Sequence, residues 1–194
     1  GDGLFYFYQD KYFDAVVGLM VSQRFERITL QADEAEVLRG GMLLSYGLHR
    51  EAGAIFATLI DKNVKPSVRD RAWFFLAKIR YQRGFLAEAE DAIAHVGNAL
   101  PPALAEDRAL LQAQLAMANG DFAGAARTLS ALSATKPGAG PYTRFNLGVA
   151  MVRSGDAVGG SAQLDALGRE KAFDEEQRSL HDKANLALGF AALQ

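Results

Sequence analysis

The stretch from residue 71 to residue 93 reads RAWFFLAKIRYQRGFLAEAEDAI. Apolar residues recur at helical spacing on both sides of Gly84, which divides the stretch into two amphipathic segments. Glycine supplies the left-handed backbone conformation that a short turn between helices requires. Small side chains at Ala77 and Ala89 allow the two helices to approach closely. The stretch therefore predicts an antiparallel pair of α-helices joined at Gly84.

The same arrangement recurs four times along the chain. The small residue of the second helix is Ala52, Ala89, Ala125 or Gly160, and these positions are 37, 36 and 35 residues apart. A turn glycine lies five residues before each of them, at Gly47, Gly84, Gly120 and Gly155. The small residue of the first helix lies twelve residues before each, at Gly40, Ala77, Ala113 and Gly148. A period of this length is typical of a helical-repeat array.

We therefore predict an all-α solenoid of antiparallel helix pairs, with about five units and a terminal helix in one domain, 1–194. The predicted units span approximately 3–30, 33–64, 68–101, 103–137 and 141–170, with a partial sixth at 175–194. No window alternates with period two, so we expect almost no strand. The sequence further predicts Asp33 as a helix N-cap, Pro101-Pro102 and Pro137 as the ends of second helices, and Ala184–Leu193 as the opening helix of the sixth unit.

The sixth unit has no second helix to cover it. Natural arrays usually end in a repeat with a polar outer face. We expect the chain to be a fragment of a longer array, or the last helix to pack back or form a homo-oligomer.

Composition excludes several classes of protein. Of the 194 residues, 49% are hydrophobic and 23% charged, and the net charge is −2, as in an ordinary globular protein. The 21 Lys and Arg residues are interleaved with acids, so no basic stripe points to nucleic acid. The absence of cysteine excludes disulfides and thiolate metal sites. Every apolar stretch is too short to cross a bilayer, so we expect no direct membrane insertion.

The residues that could act in catalysis or bind a metal are spread over different units of the sequence. His49, His95 and His181 fall in three different units without metal-ligand spacing, and solvated surface positions are expected for them. Ser154-Gly155-Asp156 has glycine where a phosphate loop would, but the repeat already accounts for that glycine. We therefore predict no enzymatic activity, no metal and no cofactor.

The third unit resembles the tetratricopeptide repeat (TPR) family. Trp73, Leu76-Ala77, Tyr81, Gly84, Ala89, Ile93 and Pro101 stand at the spacings of that motif. The runs 43–47 and 72–77 also resemble bacterial, envelope-associated members of the family. The resemblance implies a right-handed superhelix in which the first helix of each pair lines a concave groove, and that groove holds a peptide or a helix of a partner protein.

Mapping the groove positions of the family onto this sequence gives a candidate binding site. Its predicted members are Arg71, Phe74, Lys78, Tyr81, Gln82, Gln114, Met117, Tyr142, Phe145 and Arg153, with Val37, Gly41, Leu44, Ser45, Leu110, Val149 and Val152 beside them. For Phe74, Phe145 and Leu110, packing between neighbouring helices is an equally good interpretation of the sequence. The lysines and asparagines with which one subgroup of the family grips carboxylates are replaced here, for example by Phe74 and Gln114. The resemblance thus implies an apolar and aromatic groove whose ligand carries apolar anchors, with an acidic group near Arg71, Lys78 or Arg153.

The leading hypothesis from sequence is a non-catalytic protein–protein interaction module. One alternative is a structural scaffold or spacer in a bacterial envelope assembly or polysaccharide-export system, and a second is an accessory domain of a larger enzyme. The lack of cysteine and the family resemblance favour a periplasmic or envelope location over a cytoplasmic one.

Overall fold

The computed structural model describes residues 17–18, 20–21, 32–135 and 140–192. Over residues 32–135 and 140–192 the chain forms nine α-helices, and residues 17–18 and 20–21 are also helical. None of the described residues lies in a strand. Most of the first predicted unit, 3–30, and Pro137 lie outside the described residues. The helices are α1 (Ala32–Ser45), α2 (His49–Asp61), α3 (Pro66–Gln82), α4 (Leu86–Ala94), α5 (Ala105–Ala118), α6 (Phe122–Thr135), α7 (Pro141–Arg153), α8 (Ala157–Gly168) and α9 (Glu175–Ala191), and a 3₁₀ turn at Pro102–Leu104 precedes α5.

The four predicted turn glycines all join two helices in the same way. Each has a positive φ, between 74° at Gly47 and 104° at Gly155. At the turn between α3 and α4, the amide of Gly84 donates to the carbonyl of Tyr81 and the amide of Phe85 to that of Arg80, both at 2.9 Å. The corresponding two bonds recur at the other three turns. This is the Schellman arrangement, which satisfies the last carbonyls of a helix and lets the chain reverse.

The chain divides into two compact units at Pro102 and Ala103. Unit 1 contains the pairs α1–α2 and α3–α4, with α3 packed on both α1 and α2. Its core between these helices contains Phe56, Leu59, Val68 and Ala72, all at most 1% exposed. The ring of Phe56 lies so close to Gly40 that a Cβ there would come within 2.6 Å of its Cζ.

Unit 2 contains the pairs α5–α6 and α7–α8, followed by α9. Helix α7 packs on α5 and α6, and α9 packs on α7 and α8 in the corresponding manner. One apolar cluster joins the first two pairs, and a second joins α7 and α8 to α9. The second cluster consists of Val152, Leu164, Leu167, Leu180 and Ala184. Helix α9 is therefore placed as the first helix of a further pair.

Three helix ends differ from the sequence prediction. Ala32 is already helical, so Asp33 lies inside the first turn of α1 rather than at its N-cap. Helix α4 ends at Ala94, well before Pro101. Helix α9 begins at Glu175, nine residues before the predicted Ala184, because the Asp174 side chain caps it by accepting from the amide of Gln177 at 2.7 Å.

A buried carboxylate holds the segment that follows α4. Asp70 on α3 is only 7% exposed, and its Oδ2 accepts from the amide of Ala99 at 2.8 Å. In unit 2 the corresponding acid, Glu106 on α5, accepts from the amide of Gly140 at 2.8 Å and from the Thr143 hydroxyl at 3.1 Å. In each unit, an acidic residue near the start of a first helix thus fixes the segment that follows that helix pair.

In the described part of the chain, no helix is both long and apolar enough to span a membrane.

Candidate binding surfaces of the first helices

The predicted site in unit 1 lies along one stripe of α1 and α3. Exposure increases along α3 from the fully buried Phe74 to the half-buried Lys78 and the exposed Gln82. The same gradient runs along α1, from the buried Val37 to the exposed Ser45. The C-terminal halves of the two first helices therefore present this surface to solvent.

Phe74 does not belong to that surface. Its side chain is 0% exposed and contacts the ring of Phe75, whose centroid lies 5.3 Å away. Phe75 in turn stacks on Phe56, with ring centroids 5.2 Å apart. Of the two interpretations of Phe74, the one in which its ring faces a ligand is wrong, because the ring is part of the apolar interior of unit 1.

Arg71 also makes its polar contacts within the protein. Its guanidinium forms an ion pair with Glu34 on α1, and its Nε donates to the carbonyl of Ser67 at 3.1 Å. The expectation that Arg71 would receive an acidic group of a ligand is therefore not supported. Lys78 forms no ion pair with the described residues, and it lies one helical turn before the half-buried Tyr81. We define the first-helix surface of unit 1 by Lys78, Tyr81 and Gln82 of α3, with Gly41, Leu44 and Ser45 of α1.

In unit 2 the predicted site residues lie on α5 and α7. Gln114, Met117 and Phe145 are half-buried, whereas Tyr142 and Arg153 are exposed. The hydroxyl of Tyr142 donates to Oε1 of Glu176 in the first turn of α9, at 2.6 Å. That hydrogen bond raises the pKa of Tyr142, and burial and the negative charge of Glu176 add to the effect. Tyr142 thus joins α7 to α9, and only its ring remains available to a ligand.

A second polar link holds α7 to the loop before α9. The Arg144 guanidinium binds the Glu170 carboxylate through two hydrogen bonds, of which the one from Nη2 to Oε2 is 2.8 Å long. This interaction raises the pKa of Arg144 and lowers the pKa of Glu170. Sequence reasoning did not identify the pair, because the partners are 26 residues apart and neither belongs to the repeat pattern.

A cavity of about 360 Å³ opens where α7, α8 and α9 meet. Its walls carry Val149, Val152, Arg153, Leu164, Ala187, Phe190 and Ala191. The three α7 residues belong to the groove predicted from the sequence, whereas the α9 residues were not predicted to line it. A signal for them exists: Ala187, Phe190 and Ala191 follow the spacing i, i+3, i+4, which predicts one apolar helix face.

The three histidines belong to three different helices: His49 to α2, His95 to the C-terminal end of α4 and His181 to α9. His95 stacks on the ring of Trp73 with centroids 4.4 Å apart, and its Nδ1 lies 2.7 Å from the carbonyl oxygen of Asp91. Among the residues described, no three His, Cys, Asp or Glu side chains are grouped so as to hold a metal ion.

Comparison with known proteins identifies the fold. No family model matches the sequence, and no curated protein matches it either. Among solved structures, a thermophilic TPR protein of Thermus thermophilus superposes with a TM-score of 0.63 over 95% of each chain, at 17% sequence identity. Identity this low shows the fold alone. Together with the repeated helix pairs and their Schellman turns, it shows that this chain has the all-α, TPR-like helical-repeat fold.

Proposed function

We propose that this protein is a non-catalytic module that binds a peptide or a helix of a partner protein on its first-helix surfaces. The TPR-like fold supports a role in protein–protein interaction in general. The finer proposal is carried by the cavity in unit 2, which is lined by six apolar residues and Arg153, all of them on the first helices α7 and α9 except Leu164. Apolar pockets with one or a few polar groups are typical of ligand sites.

The first-helix surface of unit 1 supports the same function. It offers a half-buried tyrosine, a lysine and an exposed glutamine at the C-terminal half of α3. Tyrosine provides a large contact area with little loss of conformational entropy, and such residues are enriched at binding hot spots. Because Phe74 and Arg71 are engaged inside the unit, Lys78, Tyr81 and Gln82 are the α3 residues that we propose contact the ligand.

A scaffold that contacts several partners is the second candidate function. Large apolar side chains stand exposed outside the first-helix surfaces, notably Val158 at 85% and Phe173 at 78% exposure. Exposed apolar side chains in a repeat protein can serve as additional contact points. The periplasmic location and the envelope setting stay predictions from sequence.

Site-specific photo-crosslinking in cells tests the peptide-binding proposal. A photoreactive amino acid is placed at Gln82 on α3, and the control carries it at Glu90, on the exposed face of α4. Both positions are exposed, so neither replacement removes a buried side chain. We expect a discrete adduct with one partner at Gln82, and no such adduct at Glu90.

A substitution separates binding from folding. We expect Lys78→Gln to reduce the Gln82 adduct while leaving the melting temperature unchanged, since Lys78 has no ion pair within the described structure. Equal adducts from positions 82 and 90 would contradict binding at the first-helix surface and would favour the scaffold. A melting temperature that falls with Lys78→Gln while the adduct persists would assign Lys78 a structural role.

A further inference from the structure

We propose that the two helix-to-helix turns of unit 1 together bind the surface of an anionic lipid membrane. The contact is peripheral, since only side chains at the turns enter the lipid, and it is separate from the partner binding proposed above. We define the turn edge by its five exposed large side chains, which are Tyr46, Leu48 and Arg50 at the α1–α2 turn and Arg83 and Phe85 at the α3–α4 turn.

Both turns lie at the same edge of unit 1. Helix α2 packs antiparallel to α1, and residues 62–65 are the only connection between α2 and α3. Because this connection is short, α3 runs antiparallel to α2 and parallel to α1, on which it also packs. The ion pair between Arg71 and Glu34 joins the N-terminal parts of α3 and α1. The C-terminal ends of these two helices, and the turns that follow them, are therefore neighbours.

The residue after each turn glycine differs between the two units. In unit 2 it is Asp121 or Asp156, and each side chain caps the second helix by accepting from a backbone amide, at 2.8 and 2.9 Å respectively. In unit 1 it is Leu48 or Phe85, and neither makes a cap hydrogen bond. The φ and ψ angles at Leu48 (−80°, 61°) and Phe85 (−84°, 73°) match those at Asp156 (−88°, 69°). A capping side chain would fit at both positions of unit 1 and would stabilise the helices.

Unit 1 instead exposes large side chains at this edge. Leu48 and Phe85 are each 44% exposed, and Tyr46 is 50% exposed. A specific protein interface buries about 800 Å² on each partner, far more than three half-exposed side chains can supply. A lipid surface needs no matching shape, because binding follows from the apolar area inserted and from attraction to anionic headgroups. Tyrosine is itself enriched at membrane–water interfaces.

The charges of the turn edge favour an anionic surface. Segments 46–50 and 80–86 contain Arg50, Arg80 and Arg83 and no carboxylate, and the next acids in sequence belong to the first turns of α2 and α4. Arg50 and Arg83 are exposed and form no ion pair with a residue that the structure describes. The guanidinium carbon of Arg83 lies 5.0 Å from the centroid of the Phe85 ring. Since the whole chain has a net charge of −2, the attraction is local to this edge.

Co-sedimentation with lipid vesicles tests the proposal. The full chain is mixed at low ionic strength with vesicles of phosphatidylcholine and phosphatidylglycerol in equal parts, and separately with vesicles of phosphatidylcholine alone. We expect binding to the anionic vesicles that weakens as salt is added, and binding about tenfold weaker to the neutral vesicles. Absence of binding to the anionic vesicles, or equal binding to both, would overturn the proposal.

A serine pair separates membrane binding from folding. Leu48→Ser combined with Phe85→Ser removes the apolar side chains and supplies a capping hydroxyl at each position. We expect vesicle binding to weaken by about tenfold or more while the melting temperature stays the same or rises. Phe173→Ser is the control, because Phe173 is 78% exposed but lies between Glu170 and Asp174, and this variant should bind as the parent chain does. Binding that persists in the double serine variant would reject the turn edge.

An arginine pair tests the charge contribution. Arg50→Gln combined with Arg83→Gln should weaken binding to the anionic vesicles by about tenfold. Lys62→Gln combined with Lys65→Gln is the matched control, because it removes the same charge from two exposed positions at the opposite edge of unit 1 and should leave binding unchanged. Equal losses from the two pairs would show an effect of net charge alone and would overturn the proposal.

A second copy of the chain is the competing occupant of the turn edge. Sedimentation velocity of the parent chain without vesicles detects such a contact, and we expect a monomer at the concentration used for vesicle binding. A dimer that dissociates when Leu48 and Phe85 are both replaced by serine would assign the turn edge to self-association and would overturn the membrane proposal.

Discussion

The four turn glycines occupy a backbone conformation that other residues adopt only with strain. Their φ angles are positive, and nothing lies within 4 Å of the position that a Cβ would take at any of them. Space is therefore available for a side chain, and only the backbone conformation selects glycine at these positions. Since L-residues lose about 1–2 kcal/mol in the left-handed region, the cost of a substitution can be predicted from the backbone alone.

Gly84→Ala tests this explanation. We expect it to lower the free energy of unfolding by about 1 kcal/mol, because alanine must adopt a φ near 80° at the turn between α3 and α4. The measurement is urea unfolding followed by circular dichroism. Gly53→Ala is the control: Gly53 lies inside α2, also with open space around it, so there alanine should stabilise the helix by about 0.5–1 kcal/mol. Equal effects of the two substitutions would contradict a conformational role for Gly84.

At the level of helices, the closest approach within a pair is set by small residues that face each other. Between α7 and α8, a Cβ added at Gly160 would lie 2.6 Å from the carbonyl oxygen of Gly148 and 2.7 Å from the amide nitrogen of Val152. Both atoms are backbone and cannot be avoided by rotating a side chain. The spacing of these two helices therefore depends on the absence of a side chain at position 160.

Gly160→Ala should force α7 and α8 apart. Overpacking of this kind typically costs about 1–3 kcal/mol, although alanine is the better helix former. Gly189→Ala on α9 is the matched control, because a Cβ there meets nothing within 4 Å and should not destabilise the protein. The measurement is the melting temperature of each variant, compared with that of the parent chain. A Gly160→Ala protein that melts with or above the parent chain would show that this pair tolerates a wider spacing.

The helix pairs and their turns were predictable from the sequence because they depend on local spacing. The end of α4 was not, since the segment beyond it is held by Asp70, 29 residues earlier than its partner Ala99. The start of α9 could have been predicted: Asp174 followed three residues later by Gln177 is a helix N-terminal signal. Among the predicted site residues, Lys78 and Gln82 are accessible to solvent. The guanidinium of Arg71 is paired with Glu34, and local spacing could not predict that pairing because the two residues are 37 positions apart.

On the scale of the whole molecule, each of the two units is stabilised by contacts between its own consecutive helices. Within unit 2, every helix packs on the next helix in sequence, and each first helix also packs on the first helix of the following pair. In arrays of this kind, stability is approximately a sum of repeat and neighbour-interface contributions. Helix α9 supplies the last such interface of unit 2, through Leu180 and Ala184. On its other side, Leu186 and Phe190 are exposed to solvent.

Two leucines of α9 separate its structural face from its exposed face. Leu180 is 2% exposed and packs against the cluster of α7 and α8, so we expect Leu180→Ala to lower the free energy of unfolding by about 2–5 kcal/mol. Leu186 is 63% exposed, and Leu186→Ala should change it by less than about 0.5 kcal/mol. Chemical unfolding of the full chain gives both free energies under the same conditions.

Both substitutions replace leucine by alanine in the same helix, so the change in helix propensity is the same in the two variants. The difference between their free energies of unfolding therefore measures the packing of α9 on α7 and α8. Similar small effects from both substitutions would mean that α9 does not pack on α7 and α8 in solution, and the cavity beside Phe190 would then lack one wall.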